Sequence, residues 1–373
     1  MATLTPVRPT APTAQDRRSA PLRHIGPNWY ATVMGTAIVA NAGVALPGHP
    51  SWLRVPCLVV WALSGVLLAA VLTARVGHLL CHPDQARRHL LDPAVAPFYG
   101  CLSMALLAVG AGTLSVGAEW IGMPAAVAVD AGLWLAGTAS GLLIAVAIPY
   151  LMVVRHRVAP DGASPVWLLP VVAPMVSAAT GPALVPHLPP GQWRAALLLG
   201  CYAMFGLSLL ATLVMLPVVF ARLVQHGPLP LALTPTLFLV LGPLGQSTTA
   251  VGNAADAAPA LGSTPYAHLL GGFAMLYGVP VMGFALLWLA LAGAMVVRAA
   301  RRGMPFAMTW WAFTFPVGTC VTGAASLARH TGAELFGWLA VGLYVLLVAA
   351  WGTAAVRTAR GLVSGALLAA PRR

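Results

Sequence analysis

The chain has 373 residues, of which 59% are hydrophobic and 8% are charged, and its formal net charge is +12. A soluble protein of this length could not cover its surface with so few charged side chains. The composition therefore excludes a water-soluble globular protein and indicates one that resides in a lipid bilayer. All 20 basic residues are arginines scattered over the tails and short connecting segments, which argues against a nucleic-acid partner.

Residues 1–26 are rich in Pro, Thr, Ala and Arg and show no apolar periodicity, so we predict a disordered cytoplasmic arm. An Arg-rich segment with few acids also resembles an organelle transit peptide. A positively charged flank that orients the first membrane helix accounts for the same composition and is the simpler interpretation.

Ten apolar runs of about 20 residues follow the arm, and a run of that length can cross the hydrocarbon core as an α-helix. Irregular backbone in lipid would leave N–H and C=O groups without partners, so we predict ten transmembrane helices. This divides the chain into the arm, a ten-helix transmembrane domain over 27–358 and a cytoplasmic tail over 359–373. The helices begin near Asn28, Trp52, Pro97, Pro124, Pro165, Trp193, Ala232, Pro265, Pro305 and Gly332.

Five prolines recur at intervals of 70, 68, 70 and 70 residues: Pro27, Pro97, Pro165, Pro235 and Pro305. Each opens or just precedes an apolar run, and proline is favoured in the first turn of a helix because its missing N–H would be unpaired there anyway. A fixed period with two apolar runs per unit indicates a helical hairpin repeated five times.

The arginines predict the orientation, because loops that carry an excess of Arg stay in the cytoplasm. Seventeen arginines fall on one side of the ten predicted helices, and only Arg54, Arg194 and Arg329 fall on the other. We therefore expect a multi-pass protein of the cell inner (plasma) membrane with both termini in the cytoplasm. This requires an even number of helices, in agreement with ten.

The odd-numbered predicted helices contain internal Gly and Pro, whereas the even-numbered ones are plain Leu, Ala, Val and Met runs. Kinked helices are tolerated in membranes where they line a cavity or are buried in protein. We predict an all-α fold of five tandem hairpins, with an inner ring of kinked odd helices around a central pore and an outer ring of even helices. The alternative is that these residues only allow close helix packing. The predicted kink positions are Pro174, Pro243, Pro316, Gly35 and Gly110.

The polar groups of the odd-numbered helices are neutral, since their apolar spans contain no Asp, Glu, Lys or Arg. A neutral lining can pass anions without holding them tightly, whereas cation- or proton-coupled transporters usually carry intramembrane acids or histidines. Asp130, early in the fourth helix, is either such a functional acid or a capping group near the interface. The predicted pore-lining residues are Thr36, Asn41, Thr113, Ser177, Gln246, Ser247 and Thr319.

The five cysteines lie far apart without CxxC spacing, so we predict neither a disulfide framework nor a metal site from them. His78, Cys81, His82 and His89 have ligand-like types at close spacing in the Arg-rich loop after the second helix. They form either a metal site or, more simply, part of a solvated loop, and we predict no metal and no cofactor.

Three segments resemble a known family: residues 26–39 (GPNWYATVMGTAIV), Gly242–Ser247 (GPLGQS) and Trp310–Pro316 (WWAFTFP). They are similar to motifs of the tellurite-resistance/dicarboxylate transporter family, which includes TehA, yeast malate permease, fungal sulfite pumps and plant slow anion channels. The resemblance implies ten helices as five hairpins around a central pore, commonly in a homotrimer. It also implies a pore-plugging aromatic ring in the ninth helix, which corresponds to Phe315.

Relatives in that family carry chloride, nitrate, malate or sulfite, so the resemblance implies small anions as substrates. We therefore predict channel-like anion transport across the bilayer through a Phe-gated pore. The alternative is a proton-coupled carrier or exporter of C4-dicarboxylates or sulfite, with loop groups such as His187 or Asp256 supplying the coupling. An integral membrane enzyme is disfavoured, because none of the 8 acids is paired within an apolar run.

Overall fold

The computed structural model describes Arg23 and residues 25–48, 50–262 and 267–367. Most of the predicted arm over 1–26, and residues 368–373 of the predicted tail, lie outside these residues. Within the described ranges all regular structure is helical, and ten long helical segments, α1–α10, follow one another. Seven are single runs: α2 Ser51–Cys81, α3 Ala96–Ile121, α4 Met123–Val154, α5 Pro165–His187, α6 Gln192–His226, α8 Ala267–Arg301 and α10 Glu334–Val363.

The other three segments, like α2, α3 and α5, begin with a 3-10 stretch that leads into an α-helix. In α1 the turn Pro27–Trp29 leads into Tyr30–Ala45. In α9 the stretch Met308–Phe313 is followed by Phe315–Thr331. The segment α7 has three parts, which are Leu231–Val240, Leu241–Ala257 and Ala258–Leu261.

Among the described residues, seven segments are long and apolar enough to cross a membrane: α2–α6, α8 and α10. The α-helical parts of α1, α7 and α9 count only 16 or 17 residues, and those of α7 and α9 are also richer in polar groups. The protein is thus an all-helical, multi-pass membrane protein.

Burial alternates along the chain. In α5, 89% of the most apolar stretch is buried, and every residue from Tyr30 to Ala40 of α1 is buried. In α4 the corresponding share is only 17%. Val153 of α4 is 86% exposed, and Leu276 of α8 is 80% exposed. Large apolar side chains on the outside suit a lipid environment, where they need no polar cover.

The five buried segments contact one another in a closed cycle within the described chain. Contacts run from α1 to α3, α3 to α5, α5 to α7, α7 to α9, and from α9 back to α1. Each even-numbered helix packs against the odd-numbered segment that precedes it. The repeat prolines lie at the start of the buried segments, where Pro27, Pro97 and Pro165 occupy the first helical turn.

Two local features differ from the sequence expectations. The Arg-rich loop after α2 contains a short helix, Pro83–Leu91, whose first turn carries Asp84 and whose last turn carries Arg88 and His89. Charges in those positions oppose the helix dipole and stabilise such a helix. In α3, a π-helical turn at Thr113–Gly117 interrupts the α-helix, a feature that hydropathy does not reveal.

Candidate functional site

The two ends of the helix bundle differ in charge. The three arginines predicted on the minority side all lie at one end, which we call the Arg329 end. There Arg54 pairs with Glu119 at 2.6 Å, Arg329 pairs with Asp256 at 3.1 Å, and Arg194 donates hydrogen bonds to backbone carbonyls. We call the opposite end the Arg75 end, because Arg75 is buried there and donates to the carbonyl of residue 25.

A cavity of about 370 Å³ lies inside the cycle of buried helices, and α1, α3, α5, α7 and α9 all contribute to its wall. Along α9 it is bordered by Phe315, Thr322 and Arg329, so it spans fourteen residues of helix, or roughly 21 Å. It therefore extends from mid-bundle to the Arg329 end. Its polar lining residues are Asn41, Ser115, Thr180, His187, Gln246, Thr249, Asn253, Thr322 and Arg329.

The lining residues follow helical spacing. Gln246, Thr249 and Asn253 stand at positions i, i+3 and i+7 of α7 and so share one face. Phe315, Thr322 and Arg329 are spaced by seven residues along α9 and therefore share one face of that helix. The lining residues of α7 and of α9 thus each lie on one face of their helix.

Phe315 ends the cavity on the side of the Arg75 end. Its side chain is 3% exposed and borders both the cavity and a separate void of about 10 Å³. A void of that size holds at most about one water molecule. Its wall is apolar and again comes from the buried helices: Met34, Met104, Leu168, Leu169, Val172, Leu239, Gly242, Phe315 and Pro316.

Four of the five repeats contribute an equivalent residue to the void. Met34, Met104, Val172 and Gly242 each follow their repeat proline by seven residues, and all four border the void. The fifth repeat contributes Phe315 and Pro316, which lie further from its proline. Together these residues form an apolar constriction.

The predicted lining residues fall into two groups. Asn41 and Gln246 border the cavity. The hydroxyls of the other five bond elsewhere, and none of these five residues borders the cavity. Three of them accept hydrogen bonds from the outer helices: Thr36 from Trp351 at 3.1 Å, Thr113 from Trp61 at 3.1 Å and Ser177 from Thr138 at 2.9 Å.

The remaining two donate to a preceding carbonyl of their own helix, Ser247 to Leu244 at 3.0 Å and Thr319 to Pro316 at 2.7 Å. The Thr319 hydroxyl also lies 3.4 Å from two carbonyls of α7. Ser and Thr in membrane helices commonly satisfy their hydroxyls on a preceding carbonyl, so hydroxyl content alone does not reveal which face lines a cavity. The lining residues Thr249 and Asn253 could have been found from their i+3 and i+7 spacing to Gln246.

The predicted kink positions have different local roles. Pro174 lies inside the α-helix of α5, whereas Pro243 and Pro316 lie in the first turn of an α-helix that follows a 3-10 stretch. In α7 and α9 the helix type therefore changes just before the proline. Gly35 and Gly110 are close-approach sites, because an added Cβ would collide with Thr314 and Asp130, respectively.

Two asparagines brace neighbouring buried helices. The Asn41 amide donates to the Ala108 carbonyl of α3 at 2.9 Å, and the Asn253 amide donates to the Ala179 carbonyl of α5 at 2.7 Å. Both bonds cross between adjacent walls of the cavity. They hold the helices at a fixed separation and occupy one donor of each amide.

Asp130 lies behind the cavity wall. It is 1% exposed and packs against Gly110 of α3, and neither carboxyl oxygen has a hydrogen-bond partner among the described residues.

At the Arg75 end, the rings of His78 and His89 stack at 5.2 Å. Across the described residues, no group of three or more His, Cys, Asp or Glu is arranged to hold a metal ion.

Residues 24–359 match the SLAC1 family, described as voltage-dependent anion channel. The chain belongs to the SLAC1 family. This confirms the resemblance seen in the segments around α1, α7 and α9, and it makes the protein a member of a family of channels and transporters rather than enzymes.

Individual SLAC1-related proteins cover nearly the same extent. An uncharacterized transporter of Methanocaldococcus jannaschii is 26% identical over 347 residues, which are 92% of this chain and 95% of the relative. A sulfite efflux pump of Trichophyton rubrum and another of Arthroderma benhamiae are each 27% identical over 340 residues, 87% of either chain. Membership in the SLAC1 family supports anion transport as the activity of this protein.

We expect Arg329 to attract anions into the cavity of this SLAC1 protein. Its side chain is 44% exposed and borders the cavity, so Arg329→Gln should lower anion flux several-fold in vesicles at low ionic strength. The difference should vanish at high salt, because the screening length falls from about 30 Å at 0.01 M to about 3 Å at 1 M.

The matched control is Arg54→Gln, which removes an arginine at the same end that pairs with Glu119 and does not border the cavity. An equal loss in both variants would mean that general surface charge, rather than Arg329 at the cavity, attracts the anions.

Proposed function

We propose that the protein conducts small anions passively through a central pathway within each chain. In this proposal the domain over 27–358 forms ten transmembrane helices as five hairpins, with the odd helices as an inner ring and the even helices facing lipid. One observation carries the proposal. A cavity walled by every buried helix ends at a single aromatic ring, Phe315, and an apolar void lies directly beyond that ring.

The charge pattern supports anions as the permeant species. Arg329 and His187 border the cavity, and no Asp or Glu is among the described residues that line it. Amide and hydroxyl groups can replace water around an anion without a fixed opposite charge, so binding stays weak enough for release.

The apolar constriction supports a closed state. A desolvated anion would have to pass Phe315 and then Met34 and Met104, where no polar group replaces its hydration shell. Hydrophobic constrictions of this kind gate by excluding water. Movement of the Phe315 ring is therefore proposed as the opening step.

The proposal extends to membrane, orientation and assembly. We propose the plasma membrane with both termini in the cytoplasm, which puts the Arg329 end outside, because most arginines belong to the Arg75 end. The resemblance to the tellurite-resistance/dicarboxylate transporter family supports a homotrimer. Cross-linking in native membranes followed by mass determination tests that assembly.

Chloride, nitrate, sulfite and malate are the proposed substrates, and the similarity to sulfite efflux pumps favours including sulfite. Flux measured in proteoliposomes of the full chain, with a panel of these anions, tests the function. A passive channel follows the imposed voltage and passes nitrate ahead of chloride, since nitrate dehydrates more easily. Saturable transport of one dicarboxylate, driven only by a proton gradient, would contradict it.

Asp130 favours a second candidate, the proton-coupled carrier. A buried carboxyl without hydrogen-bond partners in the described chain can take up and release a proton, and intramembrane acids are typical of coupled transporters. The Asp130→Asn variant separates the two functions. For a channel we expect unchanged voltage-driven flux, because Asp130 lies behind α3 and outside the cavity lining. For a carrier, uptake driven by a pH gradient should be lost.

A further inference from the structure

The cavity contains one amide that the protein itself leaves unused. Gln246 borders the cavity and is 4% exposed, and its Oε1 atom is buried without a hydrogen-bond partner among the described residues. Leaving such a group unsatisfied costs about 1–3 kcal/mol. An unpaired acceptor that borders a cavity is expected to form its hydrogen bond with a ligand that enters the cavity.

The other two amides of the cavity wall each make a hydrogen bond. Asn41 and Asn253 donate to carbonyls at 2.9 and 2.7 Å, and the Oδ1 atom of Asn41, like the Oε1 atom of Gln246, has no partner among the described residues. The hydroxyl oxygens of Thr249 and Thr322 lie 2.8 Å apart, and each hydroxyl is also within hydrogen-bonding distance of a carbonyl on its own helix. Of the three amides in the wall, Gln246 is therefore the one without a bond to the described protein.

Gln246 also stands at the level of the gate. It follows Gly242, which borders the void, by four residues, or about one helical turn of α7. Among the α7 residues that line the cavity, Gln246 is therefore the one nearest to the apolar constriction. An anion that enters from the Arg329 end meets it immediately before Phe315.

We infer that Gln246 selects singly protonated oxyanions, such as hydrogen sulfite, over halides at the gate. An amide offers N–H donors and a carbonyl acceptor side by side. A protonated oxyanion accepts from the N–H with one oxygen and donates to Oε1 with its O–H, so it satisfies both halves of the amide. Chloride only accepts hydrogen bonds and leaves Oε1 unpaired. This inference rests on the proposed function and assigns a substrate preference to its pathway.

Reversal potentials of proteoliposomes with opposed chloride and sulfite solutions test the inference. All variants are made both in the full wild-type chain and with Phe315→Ala, which keeps flux measurable. Gln246→Met retains the side-chain length but removes both hydrogen-bonding groups. We expect it to lower the permeability ratio of hydrogen sulfite to chloride about tenfold, the size of one lost hydrogen bond. Thr248→Val is the control, because the Thr248 hydroxyl bonds the Leu244 carbonyl and does not border the cavity.

Repeating the measurement at a pH where sulfite carries no proton provides a second readout. The permeability ratio of hydrogen sulfite to chloride should fall in the proteins that retain Gln246 and stay low in Gln246→Met. His187 and Arg329 border the same cavity and are present in every variant, so their charge contributes equally to both proteins in the comparison. Gln246→Glu, which has the same shape and adds an acceptor-only charge, should lower the flux of both anions.

The outcomes separate the inference from the proposed function. If Phe315→Ala conducts anions and Gln246→Met leaves the ratio unchanged at both pH values, the role of Gln246 is overturned and the channel function stands. If no variant conducts, the proposed function fails. Should Gln246→Met not fold, as judged by size-exclusion chromatography, Gln246→Ala, which also removes both hydrogen-bonding groups, takes its place, and an unchanged ratio in that variant overturns the inference.

Discussion

Replacing Phe315 with alanine is expected to raise anion conductance about tenfold or more, which corresponds to a barrier lowered by at least about 1.4 kcal/mol. The ring is the boundary between the polar cavity and the apolar void, and its removal joins the two spaces. Met34 and Met104 still narrow the pathway beyond it, so the open variant should remain selective against large solutes. Electrical recording from reconstituted protein measures the change.

Phe313→Ala is the matched control for this experiment. Phe313 lies two residues earlier and packs edge-on against Phe238 with ring centroids 4.9 Å apart, and it borders an outer groove rather than the cavity. It should leave conductance near the wild-type value. Equal conductance in both variants, with both proteins folded, would remove Phe315 from the gate.

Gly245→Ala is expected to be the most destabilising small change in the described chain that we propose to test. A Cβ at this position of α7 would lie 2.5 Å from the backbone nitrogen of Cys320 and the backbone carbon of Thr319 in α9. A side chain could relieve such a contact by changing its rotamer, but backbone atoms cannot. The two helices must therefore move apart. Overpacking of this kind costs about 1–3 kcal/mol, and the apparent melting temperature in detergent should fall by several degrees.

Gly206→Ala provides the comparison, because a Cβ there meets nothing within 4 Å. Alanine favours the helix over glycine by about 1 kcal/mol, so this variant should be at least as stable as wild type. Equal melting temperatures for the two variants would contradict close contact between α7 and α9.

The sequence predicted the helices well because hydrophobic length and proline placement are local signals. The predicted starts at Trp52, Pro97 and Trp193 lie within one residue of the observed starts of α2, α3 and α6. The difference between plain outer runs and Gly- and Pro-containing inner runs likewise predicted which helices are buried. A helix that faces lipid and a helix that is buried in protein differ in amino-acid composition, so composition alone distinguishes them.

The lining of the cavity could not be predicted in the same way. Thr36 and Gln246 are both polar residues in buried helices, yet Thr36 bonds Trp351 of α10 while Gln246 borders the cavity. Which face turns inward depends on the rotation of each helix against two neighbours. Aromatic N–H groups on the outer helices determine part of that rotation, and their partners lie between 43 and 315 residues away in sequence.

The cycle of buried helices also dictates when the protein can finish assembling during synthesis. The hydrogen bond between Trp351 and Thr36 spans 315 residues, and Gly43 of α1 lies against Tyr344 of α10. At about 5–20 residues per second, the ribosome needs on the order of 15 to 60 seconds to supply those partners. During that interval α1 lies in the membrane without the α10 residues that contact Thr36 and Gly43. Nascent chains stalled before α9 should therefore be the species that membrane chaperones and proteases encounter.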